Sequence, residues 1–374
     1  MKQRLIFFYI LFINFTAIEG QTPFTTNTAT DSLETDTSSV FIQADITQFF
    51  LNDEYFNPIV EGYTLFGTNL KSGLRYSPTS RSVIYAGLNG IKYFGEESLE
   101  TIKPEIYISI EPNKKNTFCF GSMSNSPDKA FLPQLWNHEQ AFTKTSPEGI
   151  SYLFKNKRIE SSTWVYWLDF LHPNEHSQEK ILVGNITEYN VINKPGFQIS
   201  LPVQLTVYHI GGQINDSWMP MYVILNNAAG IRIKVGTKGK TSFGYHYLGY
   251  KDASSTALYN FKNGDGHLFQ VQHNNSNISA SVSYWSGNRF IAPFGEAIYS
   301  SQSQRIPLDS PATHQNERRL IHCRFFYKHS FARSLTLLCG IQLYTDIKNN
   351  ITDYSYNFIL RYNDLFRLAR IRKD

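Results

Sequence analysis

The feature that most constrains the fold is an alternation of apolar and polar residues with a period of two, which recurs along most of the chain. The clearest run extends from Phe197 to Tyr208 and places an apolar residue at every second position. Such alternation is typical of β-strands with one apolar and one polar face. Beyond the first 20 residues, no apolar stretch reaches the roughly 20 residues that a transmembrane helix needs. A chain of this kind can cross a membrane only as a closed barrel, because hydrocarbon offers backbone polar groups no other partners.

Composition is compatible with a membrane barrel. Aromatic residues make up 15% of the chain and charged residues 18%, while the mean hydropathy is −0.31. A barrel combines these values because its outward side chains meet lipid and its inward ones meet water or each other. A soluble β-sandwich can show the same average, so it remains the alternative architecture.

Short connectors and long segments alternate along the chain. Short connectors lie at 193–196 and 236–239, and long segments at 124–148 and 287–317. Outer-membrane barrels typically have short periplasmic turns and longer extracellular loops. We therefore predict an all-β fold, a single antiparallel transmembrane β-barrel of roughly 16 strands, with both chain ends on the periplasmic side.

The chain termini predict export. Lys2 and Arg4 precede an apolar run that ends at Phe15, which is typical of a secretory signal peptide. We expect cleavage near Gly20 and insertion into the bacterial outer membrane, with its lipid and the barrel assembly machinery as partners. The predicted organisation is a signal peptide at 1–20, a flexible lead-in at 21–39, a barrel at 40–366 and a basic tail at 367–374.

Charge and cysteine content exclude other classes of protein. The formal charge of +4 is spread along the chain, so nucleic-acid binding is not indicated. The three cysteines are an odd number in a long chain, which argues against a disulfide framework.

Two patterns are candidates for catalytic sites. The segment 172–176 matches the H-x-x-E-H pattern of zinc peptidases, but it is loop-like and lacks the helix that this chemistry needs. His246, His267 and His273 lie beside serines in strand-like segments, but no nucleophile motif accompanies them. The sequence therefore predicts no catalytic residue, no metal and no cofactor. We expect the chain not to be an enzyme, and a barrel-embedded hydrolase is the least favoured alternative.

Charged residues on the inward faces of the strands are more informative than these two patterns. Several cations near the seam between the first and last strands are predicted to attract anions. The alternative is that they pair across the lumen with Asp45, Glu105, Glu111 or Asp169, because buried charges usually find partners. The predicted lumen-lining basic cluster consists of Lys71, Arg75, Arg232, Lys234, Arg324, Lys328 and Arg361.

Two segments carry a family resemblance. The segment 49–58, FFLNDEYFNP, is followed by GYTLFGT at 62–68, and YWSG stands at 284–287. These segments resemble a poorly characterised porin-like outer-membrane barrel family of Bacteroides-type bacteria. The resemblance implies a fold and a location but no catalytic residues. Many such barrels end on an aromatic residue, whereas this chain continues to Asp374.

Two functions fit the predicted barrel. The first is a passive channel for small polar solutes, since a barrel of roughly 16 strands can leave an aqueous lumen. The second is a structural or surface-binding barrel whose lumen is closed by bulky inward residues and by an inward-folded segment 287–317. The residues expected inside are Tyr85, Tyr107, Trp167, Tyr208 and Trp285, while Trp164, Tyr166 and Phe170 are expected to face lipid.

Overall fold

The chain forms a closed antiparallel barrel of 16 strands, in which each strand pairs with its neighbours in sequence and the first strand pairs with the last. This computed structural model describes residues 37–123, 130–172, 175–212, 218–237, 239–303 and 313–371. The predicted signal peptide lies outside the described residues. The strands are β1 (Ser39–Glu54), β2 (Tyr63–Thr79), β3 (Ser82–Tyr93), β4 (Thr101–Asn113), β5 (Asn116–Ser122), β6 (Glu148–Lys155), β7 (Ile159–Asp169), β8 (Lys180–Lys194), β9 (Phe197–Ile210), β10 (Tyr222–Val235), β11 (Lys240–Asp252), β12 (Asn263–Asn274), β13 (Ile278–Asn288), β14 (Glu317–Ser330), β15 (Leu335–Asp346) and β16 (Ile351–Arg370).

The connections divide the barrel into two unlike ends. Short turns such as 80–81, 114–115 and 195–196 lie at the end where β1 begins and β16 finishes. Most of the connections at the opposite end are longer, which is the arrangement of periplasmic turns and extracellular loops. The predicted all-β barrel is confirmed. Its last strand continues to Arg370, into the segment expected to be a basic tail from 367.

Strand alternation separates a lipid-facing surface from a lumen, as the middle of β9 illustrates. Val203 is 45% exposed on the outside, whereas the next residue, Gln204, is only 2% exposed inside. Outward residues on the other strands are likewise mostly apolar or aromatic, as a wall in contact with lipid requires. None of the helices in the described part of the chain is long and apolar enough to span a membrane.

The orientations predicted for Trp164, Tyr166 and Trp167 on β7 are wrong. Trp164 and Tyr166 are buried in the lumen, at 1% and 0% exposure, while Trp167 is 45% exposed on the outside. Both faces of this strand carry aromatic residues, so polarity could not choose between them. What decides the orientation is the lumen itself, where the Trp164 ring packs edge-on against Phe131 with centroids 5.2 Å apart.

Two connections fold inward and fill much of the lumen. The first lies between β5 and β6 and includes the short helix α1 (Gln140–Thr143), and the second lies between β13 and β14. Their apolar residues form one core with inward wall residues such as Trp285. Gln204 holds the first segment, since its side chain accepts from the Leu132 N–H at 2.9 Å and donates to the Ala130 carbonyl at 3.1 Å. Asn226 donates to the carbonyl of Ile291 in the second segment at 2.7 Å.

The wall is uneven in height. Strands β5 and β6 have only seven and eight residues, against 16 in β1 and 15 in β8. Strand β5 begins at one periplasmic turn and β6 ends at the next. Because these ends are fixed at the periplasmic side, the shortness of the two strands lowers the wall at the extracellular end.

Candidate active site

A polar cavity of about 410 Å3 lies where the two inward segments meet the extracellular end of the wall. Its lining comes from the end of β1 and the loop after it, the start of β2, both inward segments and strands β14 to β16. The two inward segments are hydrogen-bonded to each other here, with Asn137 N–H donating to the Phe294 carbonyl at 2.5 Å and Glu296 N–H to the Pro133 carbonyl at 2.8 Å. Backbone pairing thus brings acidic residues of two distant loops into one cavity.

Three polar residues lie together on the cavity wall. Asp53 continues the inward face that Phe49 and Leu51 begin on β1, and it is 5% exposed. Tyr63 is its partner in the register between β1 and β2. The Tyr63 hydroxyl donates to a carboxylate oxygen of Glu139, and Asp53 lies near enough to both residues to interact with them electrostatically. Ionisation of one of the two carboxyl groups therefore disfavours ionisation of the other.

A third carboxyl group and a cation complete the cavity. Arg324, on the inward face of β14, places Nη2 3.4 Å from the Glu296 carboxylate and donates from Nε to Gln342 at 2.9 Å. Tyr344 also lines the cavity and hydrogen-bonds Gln342. The Arg324 guanidinium therefore pairs with Glu296 and lines the same cavity as Asp53 and Glu139.

Burial sets the protonation of the loop residues in this site. It raises the pKa of the Glu139 carboxyl. It also raises the pKa of Glu296 to about 7, although Arg324 acts in the opposite direction. Burial and the nearby Arg324 charge lower the pKa of His138 to about 3, so this imidazole is neutral, and its Nε2 lies 3.1 Å from the Phe131 carbonyl.

The loop that roofs the cavity is anchored to the last strand. The Asp353 carboxylate on β16 accepts the N–H of Phe56 at 2.6 Å and the side-chain amide of Asn57 at 2.8 Å. The side-chain carbonyl oxygen of Asn57 in turn accepts from the N–H groups of Ile59 and Val60 at 2.9 and 3.1 Å. This loop is therefore held in place by side-chain hydrogen bonds.

A second cavity, of about 680 Å3, lies on the other side of α1. One part of its lining is polar: Lys71 donates to Ser146 at 2.8 Å, and Ser146 donates to Glu105 at 2.6 Å. Another part consists of rings, including Trp136, Phe142 and Tyr166. His138 lines both cavities, so the segment that carries it separates them.

The seven cations of the predicted basic cluster point into the lumen but do not form one cluster. Arg361 donates to Asp45 at the seam between β1 and β16, with Nε 3.0 Å from the carboxylate. Lys71 is opposite Asp45 in the register of β1 with β2, and Lys328 lies within electrostatic range of Arg361. Arg75 is buried further along β2, at 3% exposure.

The other three cations of the predicted cluster lie near carboxylates that are away from the seam. Arg324 was expected near the seam but faces Glu296 in the polar cavity. Arg232 lies 3.4 Å from Glu188, which also feels the charge of Lys234. Of the carboxylates named in the pairing alternative, Asp45 pairs with Arg361, whereas Arg324 and Arg232 pair with carboxylates that it did not name. A role of these cations in attracting anions stays a prediction.

The other sequence patterns do not come together as sites. The segment 172–176 is described only in part, and there the Glu175 carboxylate accepts the backbone N–H of His172 at 3.0 Å. In the described ranges, none of His246, His267 and His273 is hydrogen-bonded to a serine. His267 and His273 instead contact Tyr245 and Thr241. Across the same ranges, no group of three His, Cys, Asp or Glu side chains is arranged to hold a metal ion.

Sequence reasoning missed the acidic residues of the cavity. Asp53 belongs to the segment that carries the family resemblance, and its signal was a carboxylate that follows Phe49 and Leu51 on the inward face of β1. Glu139 and Glu296 lie in long connections between strands. These connections lack the period-two alternation that predicts on which side of a strand a residue lies. The available hint was the apolar content of those connections, which include Phe131, Leu132 and Phe290.

Comparison with solved structures supports the fold. The barrel is similar to OccAB4 of Acinetobacter baumannii, with a TM-score of 0.50 and 10% identity over 88% of this chain and 99% of that one. It is also similar to a loop L8 deletion mutant of OmpT, an outer membrane protein of Vibrio cholerae, with a TM-score of 0.51 and 8% identity over 88% and 100%. At such identities the likeness shows the fold alone. No curated protein matches the chain.

A family model described as lipid A 3'-O-deacylase-type matches residues 32–371, nearly the whole chain. This match corrects the expectation that the chain is not an enzyme, because the family is named for a hydrolytic activity. The resemblance to outer-membrane barrels is confirmed in its fold, but the porin-like description fits only in part. The chain belongs to the lipid A 3'-O-deacylase-type family.

Proposed function

We propose that this barrel is an outer-membrane hydrolase that removes an ester-linked acyl chain from lipid A. The observation that carries the proposal is the grouping of Asp53, Tyr63 and Glu139 on the wall of the 410 Å3 cavity, where Tyr63 donates to Glu139. The family name supplies the substrate class. The position of the cavity at the extracellular end supports it, since lipid A belongs to the outer leaflet.

The carboxyl pair can act as base and acid in turn. A carboxylate of the Asp53–Glu139 pair takes a proton from water while the water oxygen bonds to the ester carbonyl carbon. The bond between that carbon and the sugar oxygen then breaks. The acyl chain leaves as a carboxylic acid, and the sugar oxygen receives the proton held by the pair. No protein nucleophile is needed, because water is the attacking group.

Two neighbouring groups assist this chemistry. Tyr63 donates to Glu139, which fixes the carboxyl group in the cavity. Arg324 lines the same cavity, and its charge offsets the negative charge that develops on the carbonyl oxygen. Burial favours the neutral form of Glu296, so this carboxyl group compensates the positive charge of Arg324 only in part.

A passive channel is less well supported. Such a channel needs a continuous water-filled lumen, whereas Phe131, Trp136, Phe290 and Tyr299 pack inside this barrel. The second candidate function, a channel for small polar solutes, would require the inward segments to move away from Gln204 and Asn226.

The proposal can be tested by mass spectrometry of lipid A from cells that express the protein. Wild type should release one acyl chain from lipid A. Asp53→Asn and Glu139→Gln should each slow this release by about 10²–10⁴-fold, the usual contribution of general acid–base catalysis. The matched control is Glu317→Gln, an exposed carboxylate at the same end of the barrel, whose side chain is 49% exposed. It should retain wild-type activity.

Folding is checked separately through the heat-modifiable gel shift of each variant. Unchanged lipid A in cells that contain folded wild type would contradict the activity. Full activity in both folded single variants, Asp53→Asn and Glu139→Gln, would contradict the assignment of the site.

A further inference from the structure

The low part of the barrel wall ends within the depth of the membrane. Seven residues of β5 reach about 18 Å along the membrane normal at usual strand rise and tilt, and eight residues of β6 about 20 Å. The apolar band of such barrels is about 25 Å tall. The wall between β4 and β7 therefore stops below the outer boundary of the hydrocarbon.

The upper half of β4 has no ladder partner on this side within the described residues. Pairing of β4 with β5 begins at Tyr107 and Gly121, and the Ile106 N–H is satisfied by the Ser122 hydroxyl at 3.1 Å. Backbone N–H groups alternate between the two sides of a strand, so position 104 points to the same side as Ile106. Pro104 has no N–H to leave unpaired there, and proline in sheets is confined to such edges. The sequence of β4 is thus suited to an open edge.

The 680 Å3 cavity opens at this gap in the wall. Its lining includes Thr101 and Lys103 from the open part of β4, Met123 after β5, and Trp167 and Leu168 from the top of β7. Trp167 is 45% exposed on the outer surface of the barrel, and the adjacent Leu168 is 40% exposed at the top of β7. Because Trp167 faces outward and also lines the cavity, it connects the interior with the surrounding lipid.

We propose that this gap is a lateral portal through which one acyl chain of an outer-leaflet lipid enters the 680 Å3 cavity. The medium outside the gap is hydrocarbon, and the outward residues beside it, Ile102 and Ile106, are apolar and 57% and 58% exposed. Inside, Met123, Trp136 and Phe142 offer an apolar surface to the chain. Lys103 and Lys144 line the same cavity and suit the anionic groups of a lipid headgroup.

The portal deepens the proposed function by giving the substrate a route from the membrane. The segment 137–143 forms part of both cavities, with His138 common to the two. A lipid held in the larger cavity therefore lies against the segment that carries Glu139. Only the identity of the lipid rests on the proposed deacylase activity.

Photocrosslinking can test the portal in the full-length barrel, reconstituted in vesicles of lipid A and phosphatidylethanolamine. Benzoylphenylalanine replaces one ring at a time. Phe142 lies in the cavity, Phe290 is buried in the lumen outside the cavity lining, and Phe269 faces lipid at 51% exposure. We expect acyl-chain adducts at positions 142 and 269 and none at 290. An adduct at 269 without one at 142, or equal adducts at 142 and 290, would overturn the portal.

A rim variant tests the route. Leu168→Asp places a charge at the gap, and it should abolish the adduct at 142 while the adduct at 269 remains. Its control is Ile347→Asp, at a residue that is 47% exposed and follows β15 at the extracellular end, which should leave both adducts unchanged. Persistence of the 142 adduct in folded Leu168→Asp would contradict entry through the gap. Repeating the crosslink in Glu139→Gln separates the two proposals, since the adduct should persist there whether or not the barrel hydrolyses lipid.

Discussion

At the scale of single residues, alternation along β9 decides which side chains must tolerate lipid. Val203 faces outward near the middle of the strand, so Val203→Arg forces a charge into hydrocarbon at a cost of about 2–4 kcal/mol near the midplane. Gln198→Arg is the matched control, because Gln198 is on the lumen face of the same strand. We expect much less folded barrel in lipid vesicles for Val203→Arg than for Gln198→Arg, as measured by the gel shift. Equal loss in both variants would contradict the assigned orientation.

Glu296 should make stability depend on pH. Its pKa is raised from about 4.5 to about 7, chiefly by burial, so the folded protein binds this proton more tightly than the unfolded chain. The stabilisation is complete below pH 4.5 and is lost as pH rises to about 7. We expect protonation of Glu296 to contribute about 2 kcal/mol to the free energy of unfolding. This is less than the full pKa shift would give, because the side chain is still 16% exposed to solvent.

Glu296→Gln removes this dependence, because an amide does not titrate. The wild type should lose more stability between pH 5 and pH 8 than the variant, as measured by thermal unfolding in detergent. Identical pH profiles would show that Glu296 is not held neutral by its surroundings.

The sequence reveals only the part of the candidate site that lies on the strands. Alternation places Asp53 on the inward face of β1, beside Phe49 and Leu51. Glu139 and Glu296 reach the same cavity only through backbone contacts between two loops. Such contacts join residues far apart in the chain, and local periodicity carries no information about them.

At the scale of elements, the strands were predicted well because each strand repeats the same physical constraint. The exception is β7, where Trp164, Tyr166 and Trp167 place rings on both faces. Its orientation depends on the first inward segment, whose Phe131 packs against Trp164. A strand next to a filled lumen therefore cannot be oriented by polarity alone.

The inward segments should depend on their wall contacts. Gln204→Ala removes two hydrogen bonds to the first segment, and Asn226→Ala removes one to the second. At about 1 kcal/mol for each bond, local opening of each segment should become more frequent. Hydrogen exchange should accelerate at 130–143 in the first variant and at 289–301 in the second, with strand amides unchanged. Uniform acceleration over the whole barrel would instead indicate global destabilisation.

At the scale of the whole molecule, a barrel of 16 strands encloses space that two loops then occupy. Replacing 289–301 with a short Gly-Ser linker should remove Phe290 and Tyr299 from the lumen. We expect little conductance from wild type in planar bilayers and stepwise conductance from the folded loop variant. Large conductance from wild type would show that the inward segments do not close the lumen in a membrane.

The short strands β5 and β6 also have a consequence for the surrounding bilayer. A wall about 18 Å high on one side and about 40 Å high at β1 presents unequal hydrophobic thickness around one circumference. Lipids adapt to such mismatch by local thinning at a modest free-energy cost for each ångström. Acyl chains next to β5 should therefore be shorter and less ordered than those next to β1. The bilayer would then be thinner and more fluid on the side where the wall of the barrel is lowest.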